Sequence, residues 1–190
     1  MLNVRFCAAT VGGWLALGSV AVAAPLYSLD PFTSFGGGDG YLAPGERAYL
    51  TTDNTQRGLA YNPLNDHVYI VNRAGGLSVQ ILDGTTGADL GTLNTTGITG
   101  GTFVLRTIAV AEDGAIYAAN LTTNSSSSAL KIYRWNDESS APTVAFSGAP
   151  VGAVGARFGD NLAARGSGTS TQLLMGGNSG SGAGSITYNS

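Results

Sequence analysis

Apolar residues in this chain fall into short runs separated by clusters of Gly, Asn, Asp and Ser. The clusters recur about every 8–12 residues, which is the pattern of an all-β chain, and no stretch sustains a helical period. Three stretches share one design. The first reads Leu59-Ala60-Tyr61, Tyr69-Ile70-Val71-Asn72, then Val79 to Asp83; the second reads Ile108-Ala109-Val110, Tyr117-Ala118-Ala119-Asn120, then Leu130 to Tyr133. The third reads Leu162-Ala163-Ala164, Met175-Gly176-Gly177-Asn178, then Ser185 to Tyr188. Leu59 and Ile108 are 49 residues apart, and Ile108 and Leu162 are 54 apart. A period near 50 built from strand-like units points to a radially repeated β architecture.

The first stretch predicts strands at 57–61, 67–72, 77–83 and 88–93, joined by tight turns. Four antiparallel strands with short connections are the content of one propeller blade. Val68 to Val71 is apolar almost without alternation, as for a strand covered on both faces. The second stretch predicts strands at 106–111, 115–120, 130–135 and 143–146, with a Ser-rich loop at 122–128. The predicted fold is all-β: an incomplete set of propeller-like antiparallel blades, two complete and half of a third, after an N-terminal signal helix. Three segments result: a signal peptide over 1–23, a Gly-rich segment over 24–53 whose residues 48–52 could form a closing strand, and a partial propeller over 54–190. Closed propellers need at least about four blades, so the count predicts a piece of a longer protein.

The amino terminus carries Arg5 and then an apolar run from Phe6 through Val22, with Ala21-Val22-Ala23 fitting the small-x-small cleavage rule. The exported chain would begin at Ala24. Its localisation would be secreted or cell-surface, without stable membrane insertion once the signal is removed. The single cysteine, Cys7, lies inside that segment, so a mature chain holds neither a disulfide framework nor a thiolate metal site. Lys and Arg total 9 against 12 Asp and Glu, with no basic run, which argues against nucleic acid as a partner.

The unit of aliphatic-Ala-aliphatic, turn, aromatic-x-x-Asn and a Val79-Gln80-Ile81-Leu82-Asp83 type strand resembles the blades of NHL-type and SMP-30-type propellers. Segments 57–73 and 159–166 resemble an uncharacterised bacterial extracellular domain family often found in PEP-CTERM-sorted proteins. The resemblance spans about 54–178 and implies a fold; it implies no activity. The chain lacks the Val-Pro-Glu-Pro motif of that sorting signal.

In such a fold the loops on one face gather the ligand-contacting residues. That face would hold Asp53, Asn54, Arg57, Arg73, Arg106, Arg157, Asp160 and Asn161. A hard-metal site of the SMP-30 kind needs several converging oxygen ligands. Asp53, Asn120 and Asp160 are its candidates, for a divalent ion such as calcium, and ordinary turn and edge roles are the plainer reading of each. Asn72, Asn120 and Asn178 end equivalent strands, where Asn readily bonds local backbone. Asp66 and Asp113 read as turn formers.

His67 is the only histidine, which excludes a His-based zinc site, and no Gly-x-Ser-x-Gly elbow accompanies it. Gly36-Gly37-Gly38-Asp39-Gly40 precedes no helix and fails the dinucleotide test. Tyr133, Trp135 and Phe146 read as packing residues. The sequence favours an exported, cofactor-free module that binds an extracellular ligand or surface component, over a metal-dependent lactonase-like hydrolase.

Overall fold

The computed structural model describes residues 32–178 and, as backbone, 183–189. The expected signal peptide over residues 1–23 falls outside the described residues. Among them there is no α-helix, only two single 3₁₀ turns at Phe35–Gly37 and Gly168–Ser170, and no helix long and apolar enough to cross a membrane.

The chain is all-β. Strands β1 (Gln56–Asn62), β2 (His67–Asn72), β3 (Ser78–Asp83) and β4 (Asp89–Thr92) form an antiparallel sheet in sequential order. Strands β5 (Phe103–Val110), β6 (Ile116–Leu121), β7 (Leu130–Trp135) and β8 (Thr143–Gly148) form a second sheet of the same order. The third sheet runs β10 (Ala163–Arg165), β11 (Gln172–Asn178), β12 (Ala183–Asn189). The two-residue β9 (Arg157–Phe158) pairs with the far end of β11. None of the three closes into a barrel.

The middle sheet has both faces covered, and its side chains divide by parity. Ile116 and Ala118 of β6, with Tyr133 and Trp135 of β7, pack against Tyr69, Val71, Val79 and Ile81 of the first sheet. Tyr117 and Ala119, with Leu130 and Ile132, pack against Phe158, Leu173 and Met175 of the third. Every residue of β6 is buried for this reason, whereas outer strand β4 is exposed throughout. The polar tips of the aromatics find backbone partners. Trp135 Nε1 donates to the Asn94 carbonyl at 2.8 Å and Tyr133 Oη donates to the Thr99 carbonyl at 2.8 Å, while Phe146 is partly buried against the second cluster.

Two expectations change here. Strand β2 alternates: Tyr69 and Val71 are buried while Val68 and Ile70 are only partly so, because the described residues put a sheet against one of its faces. Double burial belongs to β6 instead. Residues 48–52 form turns rather than a closing strand. That arm is held by Leu50 N donating to the Arg47 carbonyl and Gly45 N to the Leu50 carbonyl. It reaches the first sheet through side chains: Arg47 Nε lies 3.1 Å from Asp89, and Tyr49 Oη donates to the same carboxylate. Burial and this hydrogen bond raise the Tyr49 pKa.

Candidate functional site

The first strand of each sheet is interrupted at the same end. The β1–β2 register slips between Gln56 and Leu59, and the β5–β6 register slips between Phe103 and Thr107. In the third sheet β9 and β10 both pair with β11, and residues 159–162 loop out between them. A bulge redirects side chains away from the ladder. Here the two bulges and the 159–162 loop bring Arg57, Gly58, Leu59, Arg106, Ile108 and Asp160 to one open cleft of about 310 Å³, completed by Thr107, Asn161 and Leu162.

Two glycines permit this approach. A Cβ on Gly58 would lie 2.9 Å from the Arg106 carbonyl oxygen, the Ile108 nitrogen and the Thr107 Cα. A Cβ on Gly159, which has φ +101°, would lie 2.0 Å from the Asn120 carbonyl oxygen. Backbone therefore packs on backbone where β1 meets β5 and where the 159–162 loop meets β6.

The cleft is rich in guanidinium groups. Arg157 grips Asp160 with two hydrogen bonds, Nε to Oδ2 at 2.6 Å and Nη2 to Oδ1 at 2.8 Å, and Arg106 Nη2 approaches Oδ1 at 3.1 Å. The Arg157 fork first, then the positive field of Arg106, hold the Asp160 carboxyl below the usual range. Arg73 stacks on the Phe103 ring with its Cζ 3.7 Å from the centroid, and its Nη2 donates to the Asn54 carbonyl at 2.9 Å. Its Nε is buried with no hydrogen-bond partner. Desolvation, with the fields of Arg57 and Arg106, lowers the Arg73 pKa; Asp53 acts in the opposite sense. Among the described residues Arg57 makes no hydrogen bond or ion pair.

The eight residues expected on one face thus form one connected neighbourhood. Asn161 braces it, its Oδ1 accepting from Gly176 N at 2.6 Å. The three candidate metal ligands are otherwise engaged. Asp53 Oδ1 accepts from the Thr51 and Thr55 hydroxyls at 2.5 Å each, which lowers its pKa. Asn120 is fully buried, donating to the Ala129 carbonyl and accepting from Lys131 N, each at 3.0 Å. Asp160 is neutralised by arginines. Among the described residues no three His, Cys, Asp or Glu side chains form a group suited to a metal. Asn72 also serves the backbone, bonding Ala74 N and O at 3.0 and 3.1 Å. Asp66 takes the left-handed φ of 57° in its turn, and Asp113 Oδ1 accepts from Ala115 N at 3.2 Å.

A second polar cluster escaped the sequence reading. Glu138 Oε1 accepts from Tyr69 Oη at 2.6 Å and Asn65 Nδ2 at 3.0 Å, and lies 2.6 Å from His67 Nδ1. Burial opposes the Glu138 charge, yet the hydrogen bonds from Tyr69 and His67 leave its pKa lowered. Burial, then Glu138, push the Tyr69 hydroxyl up to about 12. These groups sit beside a cavity of about 390 Å³ lined also by Leu64, Asp113 and Asp137. Nothing around Glu138 in its loop distinguishes it from a solvated charge, so sequence carried no signal for it.

The fold and cleft define an all-β protein of three antiparallel sheets with an arginine-lined cleft at the interrupted ends of their first strands. The chain belongs to the DUF4623 family: residues 53–182 match the domain described as "Domain of unknown function (DUF4623)". It is similar to the crystal structure of a DUF4623 family protein from Bacteroides eggerthii DSM 20697, with 24% identity and a TM-score of 0.50. The similarity covers 72% of this chain and 36% of that one, so the chain spans little more than a third of its structural relative. No curated protein matches the chain. The matches agree with an uncharacterised family and lend no support to the PEP-CTERM, NHL or SMP-30 resemblances.

Proposed function

We propose that this chain is an exported, non-catalytic binding module of propeller-like build whose contact surface is the arginine-lined cleft. One observation carries the reading. Three successive sheets break their first strand at the same end, and the breaks deliver charged side chains to a common opening. Strand interruptions that re-aim side chains concentrate at functional sites. The one carboxylate that lines the cleft, Asp160, is paired with Arg106 and Arg157 rather than left to act as a base or to hold an ion, which favours binding over the hydrolase alternative. Export rests on the sequence of residues 1–23 and is tested by mass spectrometry of the secreted protein, which should begin at Ala24; an intact Met1 would refute it.

The binding reading is tested by recording amide NMR spectra of the full chain against neutral sugars, sugar acids and calcium. Expected are shifts confined to residues 57–59, 106–108 and 160–162 on addition of an organic ligand. Turnover of a lactone substrate that requires calcium would overturn it.

A further inference from the structure

We propose that the cleft recognises a carboxylate, carried by a small organic acid or by an acidic sugar of a polymer, and that Arg57 and Arg106 bind it. This deepens the reading of the cleft as a ligand site and rests on it. The charge balance is the first argument. Arg106 and Arg157 pair with one carboxylate, Asp160; Arg57 lines the same cleft, and Arg73 feels the fields of Arg57 and Arg106, opposed more weakly by Asp53. The neighbourhood keeps a surplus of positive charge that no described residue neutralises, in a chain whose formal net charge is −3.

The second argument is donor capacity. A guanidinium has five N–H donors in a fixed planar fork suited to a carboxylate. Arg57 uses none of them among the described residues, and Arg106 uses one, toward Asp160. Both line the cleft itself. The third is built-in geometry: Asp160 already sits against Arg106 and in the fork of Arg157. An aspartate side chain ends in the very group proposed for the ligand, and it fixes Arg106 at the cleft wall instead of letting it roam in solvent. Arg73, stacked on Phe103 and tied to Asn54, supplies positive field behind them. Leu59, Ile108 and Leu162 also line the cleft and offer apolar contact to the carbon skeleton of an acid or sugar ring.

The test is titration of the full chain with galacturonate, trigalacturonate, and trigalacturonate fully methyl-esterified, followed by NMR of the arginine Nε–Hε signals and by calorimetry. Esterification removes the charge while keeping the skeleton. Binding of the acids, weakened about tenfold or more by the ester and by Arg57→Gln, is expected. Because the Arg57 side chain is exposed and has no hydrogen-bond or ion-pair partner among the described residues, its substitution leaves the fold intact, which a thermal melt checks. Equal binding of monomer and trimer identifies a small acid, and preference for the trimer identifies a polymer; both support the carboxylate. Ester and acid binding alike at the cleft, unaffected by Arg57→Gln, overturns the carboxylate while leaving the binding module standing. Absence of any cleft response to all three probes and to neutral sugars overturns both.

Discussion

Gly58 of β1 and Thr107 of β5 pack backbone against backbone, close enough that a Cβ on Gly58 would lie 2.9 Å from the Thr107 Cα. No flexible side chain can yield at this contact, so Gly58→Ala must push the first and second sheets apart. Overpacking of this kind costs about 1–3 kcal/mol. The expected outcome is a melting temperature lowered by several degrees, with NMR shifts centred on β5 and on the cleft. A variant as stable as the parent would show that the two strands do not meet as described.

Asn120, next to last in β6, is fully buried, its amide joining the Ala129 carbonyl to the Lys131 amide across the 122–129 loop. Asn120→Ala strands both backbone groups, at a cost of about 1–3 kcal/mol. Asn178, placed alike in the sequence pattern, is exposed, and Asn178→Ala is expected to cost well under half as much. Chemical denaturation of the two variants makes the comparison. Equal losses would mean that strand position rather than burial sets the cost.

Much of this structure was legible in the order of residues. Strands β2 and β7 coincide with their predicted bounds because Asn65-Asp66 and the Ser-rich loop mark their starts clearly. The face holding Arg57, Arg106 and Asp160 was legible because loop position alone assigns a residue to one end of a sheet. The bulges were not: a slipped register is a relation between two strands, and neither strand carries it in its own periodicity. The pairing of Asp160 with Arg106 was not legible either, because Arg106 comes from the first strand of a different sheet. Glu138 was invisible for the same reason, since Asn65, His67 and Tyr69 reach it across some 70 residues of chain.

Glu138 should make stability depend on acidity. Its folded pKa lies below the reference value of 4.5, so its contribution is complete above that value and disappears as pH falls through the lower, folded one. Asp160, also lowered, acts in the same sense. The unfolding free energy is therefore expected to decline below about pH 4.5, and Glu138→Gln to flatten part of the decline. At about pH 7 the variant should be less stable by about 1 kcal/mol, and at about pH 3 the difference should be smaller. Denaturant melts at both pH values decide it; a difference that grows in acid would reverse the assignment of charge.

Asp160→Asn separates a site residue from a fold-holding one. The carboxylate pairs with two arginines, yet its side chain keeps 41% of its exposure. Exposed ion pairs contribute about 0–1 kcal/mol, because solvent screens them and ordering the side chains offsets the attraction. Neutralising Asp160 also leaves Arg106 and Arg157 facing each other without the charge between them, a repulsion that added salt shields. The net loss should thus stay below about 1 kcal/mol and shrink further as salt is raised. Affinity for an anionic probe should rise in the same variant, because the internal competitor for Arg106 has lost its charge. Thermal melts at low and high salt, paired with the trigalacturonate titration, read both effects from one protein. A loss of several kcal/mol that salt does not relieve would place Asp160 among the residues that hold the sheets together and remove it from the binding surface.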